Sequence, residues 1–316
     1  KSTGAGVVVA VIDTGITNHA DLNANLLPGY DFISDTFVSR DGNGRDANPN
    51  DEGDWNPVAG ECYSGSPVTN SSWHGTHVAG TVAAVTNNAS GVAGTAFGAK
   101  VVPVRVLGRC GGYTSDIADA ITWASGGTVS GVPANANPAE VINLSLGGGG
   151  TCSSTYQTAI NGAVGRGTTV VVAAGNSNTN VSSSVPANCP NVIAVAATTS
   201  AGSRASFSNY GTGIDISAPG QSILSTLNTG TTTPGSASYA SYNGTSMAAP
   251  HVAGVVALMQ AAAASPLTPA AVESTLKSTA RPLPGSCSGG CGAGIANADG
   301  AVTAVQGGGP DPDPGT

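Results

Sequence analysis

The chain has 316 residues, a net charge of −8 and 9% charged residues, and glycine occurs 46 times. This composition is unlike that of disordered chains, and the negative charge argues against nucleic acid as a partner. No apolar run reaches the roughly 18 residues of a membrane span, so we expect no membrane insertion.

Six cysteines, none of them inside an apolar run, indicate three disulfides and an oxidising compartment. The sequence alone does not distinguish among the pairings that six cysteines allow. The pairs we favour are Cys62 with Cys110, Cys152 with Cys189, and Cys287 with Cys291. The last pair is favoured because its Cys-Ser-Gly-Gly-Cys segment can fold back on itself. A zinc site is the alternative, but the usual CxxC spacing is missing.

The ends of the chain suggest processing. It begins at Lys1 without Met and without a charged leader, so we expect a mature, exported form that has lost a signal and a propeptide. We predict one domain over 1–305. The Gly-, Pro- and Asp-rich residues 306–316 are predicted to be a linker or a disordered tail.

A continuous β-branched run over 7–12 opens the chain and predicts a strand that is covered on both faces, as in parallel sheets. The run ends in Asp13-Thr14-Gly15. The carboxyl ends of such strands form the edge where open α/β sheets place their chemistry. Asp13 is therefore a candidate functional residue, although a solvated turn Asp would give the same pattern.

An acidic loop follows, with five carboxylates between Asp41 and Asp54. Arg45 and Asp46 stand where an EF-hand needs an oxygen ligand and a Gly, so we reject an EF-hand. Because carboxylates this dense repel one another, we expect an irregular calcium loop, with a solvated acidic loop as the alternative. Its candidate ligands are Asp41, Asp46, Asp51 and Asp54.

Small and apolar residues over Trp73–Val85 predict a buried helix with His74 at its head. His74 and His77 lie at i, i+3 with no Glu between them, which does not fit the two-histidine zinc motif. We expect one imidazole to act as a base and the other to make structural hydrogen bonds.

Strands and helices then alternate along the chain. The predicted strands cover 100–106, 141–144, 169–173, 192–196 and 214–217, and the predicted helices cover 115–124, 155–165 and 269–278. This alternation predicts an α/β fold of three layers, with a mainly parallel sheet between helices on both faces.

A glycine turn at Asn243-Gly244 leads into a segment without charged residues that reaches Ala264. The segment predicts a helix buried on nearly every side, with Thr245 as its N-cap. Ser246 would lie where unpaired backbone N–H groups and the helix dipole point outward, so its hydroxyl is placed to attack a carbonyl. A simple capping role is the alternative reading.

Three segments, Val9–Gly15, His74–Gly80 and Gly244–His251, resemble the active-site blocks of subtilisin-like serine proteases. They occur in that family's Asp, His, Ser order. The resemblance covers most of the chain, from about Val7 to about Ser278. It implies that residues 1–305 are a subtilisin-like peptidase domain.

The resemblance also implies a role for each matching residue. Ser246 would be the nucleophile, His74 the general base and then acid, and Asp13 the carboxylate that holds the imidazole. Ala173-Ala174-Gly175-Asn176 resembles the oxyanion block, so Asn176 would donate to the oxyanion. His77 and His251 are interpreted as structural.

Two further matches concern the substrate. The residues that would line the primary pocket are Ser145, Leu146, Gly147, Ala173 and Gly175, and the residues of the edge that would pair with an extended peptide are Gly111, Gly112 and Tyr113. Small residues and the absence of charge at Ser177 predict a broad preference for an apolar or aromatic side chain before the cleaved bond.

The family's tight calcium site can be traced as well. Its ligands would be the carboxylate of Asp21, the side-chain oxygen of Asn88 and the backbone carbonyls of Val85, Ser90 and Val92. The family's N-terminal ligand has no clear counterpart. Calcium is accordingly expected as a structural cofactor.

The leading hypothesis is a secreted, monomeric, calcium-stabilised serine endopeptidase that hydrolyses polypeptides through an acyl-enzyme. A catalytically idle relative that binds protein is the second hypothesis. A metallohydrolase built on His74 and His77 is the third. They differ in their response to sulfonylating reagents and to chelators.

Overall fold

The framework of the protein is a parallel sheet, seen in a computed structural model that describes residues 1–307. Its strands are β1 (Val8–Asp13), β2 (Tyr30–Asp31), β3 (Lys100–Arg105), β4 (Val141–Leu144), β5 (Gly148–Gly149), β6 (Thr169–Ala173), β7 (Ser184–Val185), β8 (Ile193–Thr198), β9 (Ile216–Pro219), β10 (Ile223–Asn228) and β11 (Ala237–Tyr242). Seven of them pair in parallel in the order β2-β3-β1-β4-β6-β8-β9. The pairs β5–β7 and β10–β11 are antiparallel.

Helices cover both faces of this sheet. They are α1 (Thr36–Ser39), α2 (His74–Ala83), α3 (Thr114–Ala124), α4 (Ser154–Gly165), α5 (Thr245–Ala262), α6 (Pro269–Thr279) and α7 (Ala298–Val305). Two apolar cores result, one beneath α2, α5, α6 and α7 and the other beneath α3 and α4. The predicted three-layer α/β fold is confirmed.

The central strand β1 shows why the sequence folds this way. Val9 and Val11 pack into the core under α2 and α5, whereas Ala10 and Ile12 pack into the core under α3 and α4. An apolar run without alternation therefore suits a strand that has no solvent face. Hydrogen-bonded neighbours on both sides, β3 and β4, complete its burial.

Helix α5 is buried on most of its sides, as the sequence predicts. The predicted N-cap is wrong, however, because Gly244 is the N-cap and Thr245 is the first helical residue. The Thr245 hydroxyl accepts from Gly175 N–H and donates to Asn176 Oδ1, so it is not available to cap the helix. Tertiary partners thus replace the local cap.

Predicted helices and strands agree with the observed ones to within about two residues, but several elements were missed. The β10–β11 hairpin is rich in polar residues, and its strand β11 has no buried residue, so it has no continuous apolar run to reveal it. Helix α7 was also missed. Residues 308–316 of the predicted tail lie outside the described residues.

Three disulfides join Cys62 to Cys110, Cys152 to Cys189 and Cys287 to Cys291, the pairs that the sequence analysis favours. The first one ties the segment between Asp54 and Ser72 to the loop after β3. Among residues 1–307, no helix is both long enough and apolar enough to cross a membrane.

Close packing of α5 gives a direct test of this fold. A Cβ added at Gly254 would lie 2.6 Å from Thr95 Cβ, so we expect Gly254→Ala to lower the free energy of unfolding by about 1–3 kcal/mol. The matched control is Gly165→Ala in α4, where no atom lies within 4 Å of the added Cβ. The control should leave stability unchanged or raise it by up to about 1 kcal/mol. Thermal unfolding measures both, and equal effects would contradict the packing.

Candidate active site

The end of β1 and the start of α2 bring Asp13 and His74 into contact. The imidazole Nδ1–H donates to the Asp13 carboxylate, with Nδ1 2.8 Å from Oδ1 and 3.0 Å from Oδ2. The carboxylate is fully buried and also accepts from Thr14 N–H at 2.7 Å. The His74 side chain is 22% exposed. This bond fixes the tautomer in which Nε2 carries the lone pair, as a general base requires.

The surroundings of the imidazole raise its pKa. Burial by itself would lower the pKa of His74, but the charge and the hydrogen bond of Asp13 outweigh burial and raise the pKa above its ordinary value. The more distant charges of Asp54 and Asp51 act in the same direction. The site therefore favours imidazolium, the form that arises when the base has accepted a proton.

Glycines allow β1 and α2 to approach so closely. A Cβ on Gly75 would lie 2.2 Å from the Gly15 carbonyl oxygen, which excludes any larger residue at that position. Thr14 then accepts from Gly75 N–H at 2.9 Å and donates to Asp51 Oδ2 at 2.6 Å. Thr14 thus bonds the first turn of α2 to the end of β1.

Ser246 lies in the first turn of α5, where Pro250 changes the hydrogen bonding of its backbone carbonyl. Pro250 has no N–H, so the Ser246 carbonyl lacks the usual helical donor four residues on. The Ser145 hydroxyl donates to that carbonyl at 2.7 Å instead. The buried Asn143 amide donates to the same hydroxyl at 2.9 Å. Strand β4 thereby holds the serine backbone in place.

The Ser246 hydroxyl donates to the Ser145 carbonyl oxygen at 3.2 Å in this structure. Ser145 lines the same cleft as His74, so it lies between the two halves of the predicted triad. The hydroxyl must rotate away from Ser145 to donate to the imidazole. Long or misaligned catalytic hydrogen bonds are common before substrate binds.

Asn176 and Ser246 both line a cleft of about 540 Å³. Its Oδ1 accepts from the N–H of Thr245 at 2.8 Å and from the hydroxyl of Thr245 at 3.0 Å. Because Oδ1 is engaged in this way, the amide can donate through Nδ2 to an anion beside Ser246. The helix N-terminus adds backbone N–H groups at the same place.

The same cleft contains most of the residues predicted to line the primary pocket. They are Leu146, Gly147, Ala173 and Gly175, whereas Ser145 lies on the His74 side. Uncharged, small residues form its walls, so it can accept a large apolar side chain.

The predicted peptide-binding edge at Gly111, Gly112 and Tyr113 is partly engaged already. Gly111 N–H donates to the Gly108 carbonyl at 3.1 Å, and Gly108 N–H donates to the Gly111 carbonyl at 2.9 Å. Gly111 therefore cannot offer these groups to a peptide unless this turn opens. The exposed Tyr113 donates its hydroxyl to Asp35 at 3.0 Å.

The predicted calcium residues around Asp21 do come together. The buried carboxylate of Asp21 accepts from Asn88 Nδ2 at 2.6 Å and from Val92 N–H at 3.0 Å. Val85 N–H donates to the backbone carbonyl of Asp21, and Asn88 Oδ1 accepts from Ser90 N–H. In the described chain no Lys, Arg or His nitrogen lies within 4 Å of this carboxylate. The Tyr239 hydroxyl also donates to Asp21, at 3.4 Å. A buried carboxylate without an ion pair suits a cation, but its neighbours here are N–H and O–H donors, so a calcium ion would require the Asn88 amide to turn its oxygen toward the site.

The acidic loop does not form the single ligand group that its sequence suggests. Asp41 accepts from Ser39, Asp46 from Asn43, Asp51 from Thr14 and Asp54 from Ser72. Separate partners spread these carboxylates apart, and residues 1–307 contain no cluster of three His, Cys, Asp or Glu side chains able to hold a metal.

His77 has a different environment from His74. Its Nε2 donates to the Ala240 carbonyl at 2.9 Å, and its ring stacks on Tyr242 with centroids 4.6 Å apart. Burial lowers the pKa of His77 to about 4. The ring is therefore neutral at neutral pH. Its Nε2 bonds to Ala240 and His74 Nδ1 bonds to Asp13, so these two nitrogens are not free to share a metal.

A model of the subtilase family matches residues 4–309. The chain belongs to the subtilase family. An extracellular protease of Xanthomonas campestris pv. campestris is 79% identical over 305 residues, which cover 96% of this chain and 52% of that protein. An extracellular basic protease of Dichelobacter nodosus is 53% identical over 313 residues, with 96% and 52% covered. This subtilase chain spans about half the length of these relatives.

A solved structure of proteases from Pseudoalteromonas arctica has the same fold. It superposes on this subtilase with a TM-score of 0.94 at 59% identity, covering 96% of this chain and 91% of that one. The fold and the family are thus established by the whole chain and not by short segments alone.

Some residues of the site could not be found from the sequence. Thr14, Asn143 and Pro250 act through the backbone or through a neighbour, and the spacing of none of them indicates that role. Thr14 bonds to Gly75, which is 61 residues away. The Ser246 carbonyl bonds to Ser145, which directly follows β4.

The two histidines allow a titration test. In a Ser246→Ala variant, which prevents self-digestion, we expect the His74 imidazole to titrate above the ordinary value of about 6.5. His77 should titrate at about 4. Asp13→Asn should lower the pKa of His74 and leave that of His77 unchanged. Proton-detected NMR of the ring signals measures both groups.

A His74 pKa below 6.5 would contradict the assignment. Because the folded chain raises this pKa, the Asp13–His74 pair stabilises the protein fully below the pKa of the unfolded chain. That stability is lost as the pH rises through the pKa of the folded state.

Proposed function

We propose that the chain is the catalytic domain of a secreted serine endopeptidase. The proposal depends on two hydrogen bonds beside one cleft. Asp13 bonds to His74, which lines the cleft, and Ser145, which lines it as well, bonds to the Ser246 carbonyl. The names of the two extracellular relatives support export. Six cysteines paired as disulfides agree with an oxidising compartment.

In the proposed reaction the Ser246 Oγ attacks the carbonyl carbon of a peptide bond. His74 Nε2 takes the hydroxyl proton, and Asp13 stabilises the imidazolium that forms. Asn176 Nδ2 and backbone N–H groups at the start of α5 stabilise the oxyanion. His74 then returns the proton to the leaving amine, the C–N bond breaks, and an acyl-enzyme remains. Water then attacks this ester, with His74 taking a proton from the water and returning it to the Ser246 oxygen.

Specificity is proposed from the cleft beside Asn176. A cleft of about 540 Å³ lined by Gly and Ala, with no charged side chain among its described lining residues, suits a large apolar or aromatic side chain before the scissile bond. The substrates are therefore polypeptides of broad sequence. Net charge of −8 argues against nucleic acid.

Calcium, a propeptide and a monomeric state complete the proposal and rest on the family resemblance. Asp21, Asn88 and the carbonyls of Val85, Ser90 and Val92 would hold the ion, which would supply charge neutralisation and no catalytic step. For the Asp41–Asp54 loop we propose no ion, because its carboxylates bond to separate partners.

The proposed mechanism is tested by a fluorophosphonate probe and a peptide substrate. We expect wild type to be labelled and to cleave, whereas Ser246→Ala should do neither. Asn176→Ala should keep measurable cleavage but lose about 10²–10³-fold in kcat, the loss known for the equivalent donor in subtilisin, the reference enzyme of the family. Full proteolysis by Ser246→Ala would exclude the mechanism. Cleavage abolished at once by a chelator, without labelling of wild type, would favour a metallohydrolase.

Calcium is expected to raise the unfolding temperature. Saturation at about 100 times the Kd stabilises a folded protein by about 2.7 kcal/mol. Asp21→Asn should remove this effect, whereas Asp46→Asn, in the acidic loop, should retain it. Calorimetry in the Ser246→Ala background measures the shift. A shift lost in Asp46→Asn and kept in Asp21→Asn would place the ion in the acidic loop instead.

A further inference from the structure

Asn209 lies beside the loop that carries Asn176, and its side chain is only 1% exposed. Its backbone N–H donates to the Gly175 carbonyl at 2.9 Å. Its side-chain Oδ1 accepts from Ser177 N–H at 3.1 Å and from Thr179 N–H at 3.0 Å. Asn209 therefore bonds to the loop on both sides of Asn176.

The side-chain amide of Asn209 uses all of its hydrogen-bonding capacity. Its Nδ2 donates to the Ala174 carbonyl at 2.9 Å and to the Ser184 hydroxyl at 2.8 Å. Together with the two bonds that Oδ1 accepts, both donors and both acceptor positions are occupied. Ser184 begins β7 and lines the cleft of about 540 Å³, so this amide also joins the loop to the wall of that cleft.

The position of Asn176 depends on its neighbours. Within residues 1–307 the backbone N–H and carbonyl of Asn176 make no hydrogen bond, and its side chain bonds to Thr245 alone. A Cβ on Gly175 would lie 2.4 Å from Asn209 Nδ2, so the loop packs directly on the Asn209 amide. The bonds from Asn209 thus fix the backbone that carries Asn176.

We propose that Asn209 is a positioning residue for the oxyanion: it holds the loop so that Asn176 Nδ2 points to the oxyanion that forms beside Ser246. The inference rests on the proposed function. A donor stabilises the transition state only if it lies within hydrogen-bond distance of the place where the oxyanion forms. A small displacement of the loop would therefore reduce the rate of the chemical step.

A role in binding the substrate side chain is the competing explanation, because Asn209 also lines the cleft. All polar atoms of its amide are already bonded to the protein, however, so none is left for a substrate. The two explanations differ in kinetics. Positioning of the oxyanion donor acts on kcat, whereas the shape of the cleft acts on KM.

Asn209→Ala tests the proposal with a peptide substrate that carries Phe before the scissile bond. We expect kcat to fall about 10-fold with KM unchanged, a smaller loss than the roughly 10²–10³-fold expected when the Asn176 donor itself is removed. A peptide boronate, which forms a tetrahedral anionic adduct with Ser246, should lose affinity by the same factor as kcat. A rise in KM that grows with the size of the substrate side chain, at constant kcat, would overturn the proposal.

A double variant shows whether Asn209 acts through Asn176. In an Asn176→Ala background the donor is absent, so Asn209→Ala should change kcat by less than about two-fold. Full multiplication of the two single losses would overturn the proposal, because it would mean that the two residues act independently.

The matched control is Asn135 in the loop after α3. Its Nδ2 donates to the carbonyls of Trp123 and Ala124 at 3.2 and 3.3 Å, and its Oδ1 accepts from Asn137 N–H at 2.8 Å. Asn135→Ala should lower the unfolding temperature and leave kcat and boronate affinity unchanged. An equal loss of kcat in this control would show a general effect of destabilisation and would contradict the proposal.

Asn209→Asp supplies a second, conservative variant. It keeps an oxygen for the N–H groups of Ser177 and Thr179, so kcat should lie between the values of wild type and Asn209→Ala. If Asn209→Ala does not fold, Asn209→Asp replaces it in the double-variant comparison with Asn176→Ala. A wild type that neither cleaves the peptide nor reacts with a fluorophosphonate would refute the proposed function instead, so the two failures can be told apart.

Discussion

The close approach of α2 to the end of β1 is the constraint on which the rest of the site depends. It requires glycine at 75, because a Cβ there would overlap the backbone of Gly15. Gly15 itself has a φ of +102°, and a Cβ on it would lie 2.5 Å from the Pro49 carbonyl oxygen. The approach places a fully buried carboxylate against an imidazole at 2.8 Å. A buried charge is costly unless it is hydrogen-bonded, so the Asp13–His74 bond and the Thr14 N–H bond to Asp13 are what make this packing tolerable.

The other half of the site depends on an unusual helix start. Pro250 interrupts the backbone hydrogen bonds of α5 at its first turn and leaves the Ser246 carbonyl for Ser145. That single hydroxyl couples the serine to β4, the strand beside β1. Sheet order therefore sets the distance between the two halves of the site, and the helices only carry the side chains.

Asp54 and Asp51 show that acidic residues close together in sequence can have separate roles in the structure. In sequence they look like ligands of one cation, but Asp51 turns inward to Thr14 and Asp54 lines the cleft with Ser72. Both contribute negative charge near His74 and raise its pKa. These carboxylates, which the sequence suggests as metal ligands, therefore raise the pKa of His74, and Asp54 adds negative charge to the cleft beside it.

Local pattern by itself determined the fold class, the central strands, most helices and the family, because apolar periodicity and the three motif segments are properties of neighbouring residues. It also singled out Asp13, His74 and Ser246. Tertiary structure alone decided the cap of α5, the separation of the acidic loop carboxylates, the half-exposed β10–β11 hairpin and the position of the segment that the Cys62–Cys110 disulfide holds. Each of these depends on partners far apart in the chain, such as Thr245 with Gly175 or Asp51 with Thr14, and no local pattern encodes which distant group will satisfy a given hydrogen bond.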